Sequence, residues 1–209
     1  MSVYPDDIYA EPADMDIHTL TKLGPLAPMA GVWEGQGGVD VAPKAEGPRT
    51  QPFWERMSLQ PVDPVDNGPQ LLYALRYHTH ITKPDKVKTF HEQVGYWMWE
   101  PATETVIHTL TIPRGQTVLA SGHAKPDAKQ FTLIATRGET GAGICSNPYL
   151  DENFRTDSFT ITVTVHDDGS WSYDEDTVMQ IKGQEEPVHH RDTNRLTRVV
   201  EPTPNPLVG

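Results

Sequence analysis

Apolar and polar residues alternate along most of the chain, in short runs divided by turn residues. A period of two sends alternate side chains to opposite faces of a strand. The clearest run covers 71–81, where Leu71, Tyr73, Leu75, Tyr77 and Ile81 alternate with Ala74, Arg76, His78 and His80. Residues 51–60 put Phe53, Met57 and Leu59 on one face and Trp54, Arg56 and Ser58 on the other. Further runs fall at 31–41, 87–99, 104–112, 116–123, 130–136, 159–165, 171–181 and 188–200. A bend or bulge is expected at Gly95 within the long 87–99 run. Turn signals stand between the runs: Pro64 with Asn67-Gly68, Pro84-Asp85, Pro113-Arg114-Gly115, Pro126-Asp127 and Asp167-Asp168-Gly169-Ser170. The last is a hairpin signal, because Asp-Gly tolerates positive φ.

This pattern predicts about ten strands, short connections and almost no helix. Parallel pairing needs crossover helices, for which there is no room. Regular short strands with turn signals indicate a sandwich or barrel. The expected fold is all-β, a single antiparallel up-and-down β-barrel. Closure removes exposed edges, and a barrel of this size encloses one small ligand. Residues 138–155 break the rhythm with Gly138, Gly141, Gly143 and Pro148, and read as a long loop with one helical turn. Residues 1–22 read as a flexible or surface-laid arm, 23–200 as the barrel domain and 201–209 as a proline-punctuated tail.

Composition narrows the class of partner. The 209 residues suit one domain. A net charge of −12 repels phosphate backbones and anionic lipid, so the expected partner is a small molecule and not nucleic acid or a membrane. No run approaches the ~20 apolar residues of a membrane helix, and the first ten residues lack the features of a secretory signal. A cytoplasmic location is the expectation. The single cysteine, Cys145, permits no internal disulfide and is compatible with a reducing compartment.

Several chemistries are not indicated. The glycine-rich start, Gly31-Val32-Trp33-Glu34-Gly35-Gln36-Gly37, lacks Gly-Lys-Ser/Thr and a following helix, so it reads as strand curvature with Trp33 plugging one barrel end. There is no Gly-x-Ser-x-Gly elbow. His78 and His80 share a strand face, but one opposite the apolar side, and read as solvated. His108 falls with Val106 and Leu110 and reads as a satisfied core histidine. In the last strand, His190, Asp192, Asn194 and Leu196 share one face, while His189, Arg191, Thr193, Arg195 and Thr197 share the other. Arginines and threonines suit solvent, so His190 is expected inside. There a neutral imidazole can ligate iron while a neighbouring acceptor holds its other N–H; the alternative is a buried polar ladder that ties the barrel shut.

Gly31-x-Trp33-x-Gly35-x-Gly37, then His91-Glu92-x-x-Gly95-Tyr96-Trp97, then the histidine-bearing final strand ending Leu196-Thr197-Arg198-Val199, together resemble the nitrobindin family. These are heme-binding barrels akin to fatty-acid-binding proteins and lipocalins. The resemblance spans about residues 23–200. It implies a ten-stranded barrel with a b-type heme at one mouth, held by a single histidine of the last strand. It also implies binding of nitric oxide and isomerisation of peroxynitrite to nitrate. Carried over, the cofactor-binding and metal-ligating residue is His190, with His189 in reserve. Two departures stand out: the charged 185–195 segment, and Asp192 and Asn194 on the inward face. The alternative function is a non-catalytic carrier of a fatty-acid-like or other small apolar ligand, with Arg76 or Arg198 as the group that would meet a carboxylate.

Overall fold

The computed structural model describes residues 3–13, 15–64 and 68–204. The turn expected at Asn67 lies outside these described residues. Eleven strands occur in chain order: β1 (Gly31–Ala42), β2 (Arg49–Val62), β3 (Tyr73–Thr82), β4 (Thr89–Glu100), β5 (Thr105–Ile112), β6 (Gln116–His123), β7 (Gln130–Thr136), β8 (Ile144–Ser146), β9 (Phe154–Val165), β10 (Trp171–Ile181) and β11 (Val188–Val200). Neighbours pair antiparallel from β1 through β7, then β9, β10 and β11, and β11 returns to β1. The result is a closed ten-stranded barrel, as the alternation predicts, with one extra strand that it does not.

The seam between β6 and β7 is the weak point of the wall. One pair, Ser121 with Ile134, joins them. Above it β8 takes the edge of β6, pairing Gln116–Val118 with Ile144–Ser146. A short helix, α1 (Pro148–Asn153), follows and buries Leu150. Asn147 caps it by accepting a 3.1 Å bond from the Leu150 amide, and Pro148 occupies the first position, where no amide donor is needed. The segment read as a long loop with one helical turn therefore holds that turn, as α1, and in addition a short strand, and the two patch the seam. It carries Cys145 on β8, exposed.

One end of the barrel is plugged. A 3₁₀ segment, Gly24–Met29, buries Leu26 and Met29, and the Trp33 indole N–H donates to the Met29 carbonyl at 2.7 Å. Trp171 meets Trp33 edge-on, with centroids 6.0 Å apart. Arg198 covers the Trp33 ring at 4.8 Å and binds the Pro28 carbonyl. The amino-terminal arm lies on the surface: Thr19 Oγ1 donates to the Val62 carbonyl at 2.9 Å, and the Asp16 amide donates to the Tyr73 hydroxyl at 3.2 Å.

Two glycine positions were candidates for irregularity, and one of them decides which side chains enter the barrel. In β1 the pairing with β2 slips between Gly35 and Gly38. Before the slip the odd residues Gly31, Trp33 and Gly35 are buried; after it the even residues Gly38, Asp40 and Ala42 are. A bulge residue reverses the parity of everything beyond it. Gly95, by contrast, is not a bulge. Both ladders run through it unbroken, pairing it with Tyr77 and Leu110. It serves close approach, since a Cβ there would collide with the Thr109 carbonyl oxygen.

Candidate functional site

The other end opens into a cavity of about 420 Å³. Its mouth is built from the strand ends opposite the plug: Asp40, Ala42, Pro43, Lys44, Phe90, His91, Arg114, Phe154, Met179 and His190 all line it. Apolar and aromatic side chains, Phe53, Met57, Trp97, Leu110, Phe159 and Ile161, share its inner wall with buried polar ones.

β11 places His190 at the mouth, as its alternation predicts. His190 Nε2 lies 2.8 Å from Asp40 Oδ1 and 3.4 Å from Asp192 Oδ2. Asp40 is 1% exposed and also accepts from Gln51 Nε2 at 2.5 Å. Burial alone would lower the His190 pKa, but the hydrogen bond to Asp40 and the charges of Asp192 and Asp40 hold it above the usual value. Burial would likewise raise Asp40, yet its bonds from His190 and Gln51 keep it low. The ligand atoms of Asp40, His190 and Asp192 all lie within 4.8 Å of one another, a donor set that could take a cation. The neighbours of His190 on β11 turn away from this set. Arg191 is exposed, and His189 faces outward, paired with Asp176 at 2.8 Å.

His91 lines the same mouth, and the charge of His190 reaches it. Burial and that charge lower its pKa, despite the Gln93 bond. The sequence places His91 within a family-like motif but assigns it no role. Its period-two position on β4 is the signal that bears on it.

Deeper in, Glu55 is buried and accepts from Tyr173 Oη at 2.8 Å and Asn194 Nδ2 at 2.9 Å. Gly35 makes room for this Asn194, since a Cβ on Gly35 would come 2.5 Å from Asn194 Nδ2. Burial pushes the Glu55 carboxyl up to about 7. Glu175, paired across strands with Asp192, is held well above the usual range by loss of hydration and by the charges of Asp192 and Glu55.

His108 corrects the expectation of a satisfied core histidine. It is 1% exposed, stacks on Trp97 with centroids 3.8 Å apart, and neither ring nitrogen has a partner among the described residues. Burial drives its pKa down to about 3, so the ring is neutral. The Tyr77 hydroxyl and Thr79 Oγ1, also on the cavity wall, are likewise buried and unpartnered. Each unsatisfied group costs about 1–3 kcal/mol. His78 and His80 do lie outside the barrel, bonded to Glu92 and Thr89. Arg76 is exposed and Arg198 sits on the plugged end, so neither lines the cavity.

The residues present fit a heme at the mouth. A metal-ligating histidine characteristically gives its other N–H to a carboxylate, as His190 can to Asp40. The cavity wall carries two cationic side chains, Lys44 and Arg114, both at the mouth, where the carboxylates of a heme would need them. Phe90, Phe154 and Met179 supply apolar rim.

A family model for a THAP4-like, heme-binding β-barrel domain matches residues 22–198. Among solved structures, the crystal structure of Rv2717c from M. tuberculosis superposes with a TM-score of 0.61 at 20% identity, covering 87% of this chain and 97% of that one. At that identity the likeness speaks for the fold. No curated protein matches.

Proposed function

The chain belongs to the THAP4-like heme-binding β-barrel family, the nitrobindins, and from that premise we propose that it binds heme b at the barrel mouth through His190 and acts on nitrogen oxides. The reading covers binding of nitric oxide and isomerisation of peroxynitrite to nitrate. One observation carries it: His190 stands on the cavity wall with its Nε2 2.8 Å from the Asp40 carboxylate.

Heme supplies an iron centre with a coordination position for a small oxidant. The protein's own part is orientation and exclusion. Asp40 accepts the N–H of His190, which fixes the tautomer and ring plane and raises the basicity of the other nitrogen. Asp40 is held in turn by Gln51. Lys44 and Arg114 neutralise anionic groups at the rim, and the apolar side chains of the inner wall keep bulk water out. His91 lines the mouth within electrostatic reach of His190, placed to meet a ligand on the cavity side. A cytoplasmic setting belongs to the same proposal and agrees with an exposed, unpaired Cys145.

Hemin titration tests the binding. Wild-type protein should shift and sharpen the Soret band, His190→Ala should abolish the shift, and His189→Ala should leave it intact. A hemin spectrum unaltered by the wild-type protein overturns the proposal. Stopped-flow decay of peroxynitrite, with nitrate quantified as product, then tests the reaction.

A further inference from the structure

We propose that the inner chamber of the barrel, below the mouth, binds a small primary ammonium ion.

Four carboxyl groups line the cavity: Asp40, Glu55, Glu175 and Asp192. The lysine and arginine of its wall, Lys44 and Arg114, both belong to the mouth. Asp40 has His190 and Gln51, and Glu55 has Tyr173 and Asn194. Glu175 has no hydrogen-bond partner among the described residues, although it lines the chamber within reach of the charges of Asp192 and Glu55.

The unpartnered atoms that line the same cavity point the same way. Tyr77 Oη, Thr79 Oγ1 and the His108 ring nitrogens are all at least nine-tenths buried and without partners. Each residue offers an acceptor lone pair: a hydroxyl oxygen in two cases, the bare nitrogen of a neutral imidazole in the third. A primary ammonium carries three donors and no acceptor, so it is the complement of this set. Glu175 supplies the countercharge; its field, with that of Glu55, already reaches the Tyr77 hydroxyl.

Aromatic faces complete the chamber. Tyr77 and His108 stand with centroids 5.1 Å apart, Trp97 stacks on His108, and Phe159 lies 6.4 Å from it. Such rings attract a cation through their quadrupoles, most strongly where water is excluded. The Trp97 indole N–H, itself unpartnered, is a donor and takes no part in this recognition. On the same cavity wall, Leu110, Val118 and Ile161 offer an apolar track for a short alkyl body. A fatty acid meets the opposite of what it needs here, since its carboxylate would enter among carboxylates.

The test uses the full-length, heme-free protein with n-butylammonium, n-butanol and butyrate as probes of one shape and three charges. EDTA in every buffer keeps metal ions from the Asp40, His190 and Asp192 donors. Calorimetric titration and thermal shift at neutral pH should show butylammonium binding at least tenfold more tightly than butanol, with butyrate producing no shift. Glu175→Gln should weaken the amine tenfold or more while leaving the circular dichroism spectrum and the ligand-free Tm unchanged or raised. Butanol or butyrate binding as well as the amine overturns the inference, and so does wild-type amine affinity in a folded Glu175→Gln protein. No response to butylammonium at the highest concentration reached also overturns it.

Discussion

Glu55 stores a pH-dependent penalty that can be isolated. Its carboxyl is buried and reaches about 7 because burial disfavours the charged form more than Tyr173 and Asn194 favour it. A carboxyl whose folded pKa is raised contributes stability that is complete below its unfolded value and lost as pH rises through the folded one. The window runs from the usual 4.5 to about 7. At 1.36 kcal/mol per unit, the difference across it is about 3 kcal/mol. Glu55→Gln removes the charge and keeps an amide oxygen that can accept from both partners.

The wild-type curve alone cannot read this out, because buried neutral histidines pull the other way. His108, at about 3, and His91, also lowered by burial, cost stability as pH falls below 6.5. The difference between wild type and Glu55→Gln cancels them. Urea unfolding at intervals from pH 4.5 to 8.5 should show Glu55→Gln gaining about 3 kcal/mol on the wild type across the range. A difference that stays constant to within about 0.5 kcal/mol would refute the reasoning, since single-site effects that far exceed this are resolvable.

His108→Phe keeps a ring on Trp97 and removes two unpartnered nitrogens. It should gain on the wild type as pH falls, by about 3 kcal/mol at pH 4, the product of a shift from 6.5 to about 3 cut off at that pH; denaturant titration at pH 4 and pH 8 checks this, and equal differences at the two would count against a neutral buried ring. Gly35→Ala puts a methyl 2.5 Å from Asn194 Nδ2 and should cost about 1–3 kcal/mol while disturbing the Glu55 contact. Combined with Glu55→Gln it should give a change that departs from the sum of the two single changes, whereas strict additivity would show that Asn194 does not couple the two positions.

The barrel was legible because it depends on period and punctuation, which a sequence displays directly. Strands β6, β7, β10 and β11 begin and end where alternation and turn residues place them. The plug was legible for the same reason, since Trp33 opens a strand bounded by an apolar Gly-Pro segment. The interior chemistry was only half legible. His190 followed from the unbroken alternation of β11. Asp40 did not, because the slip between Gly35 and Gly38 changes which parity faces in, and a glycine run does not announce where its bulge lies. Glu55 sits at the inward parity of β2, between Phe53 and Met57, yet a charge there contradicts the apolar pattern that defines the face. Such a contradiction carries information. A chain that spends inward positions on Asp40, Glu55, Glu175 and Asp192 forgoes core burial, and each of these carboxyls except Asp40 is pushed up in pKa by the hydration it loses. Local rules that fail inside an otherwise consistent fold concentrate at functional sites. Here the failures fall on the cavity wall of one container, which is why its contents are best sought among iron at the mouth and cations below it.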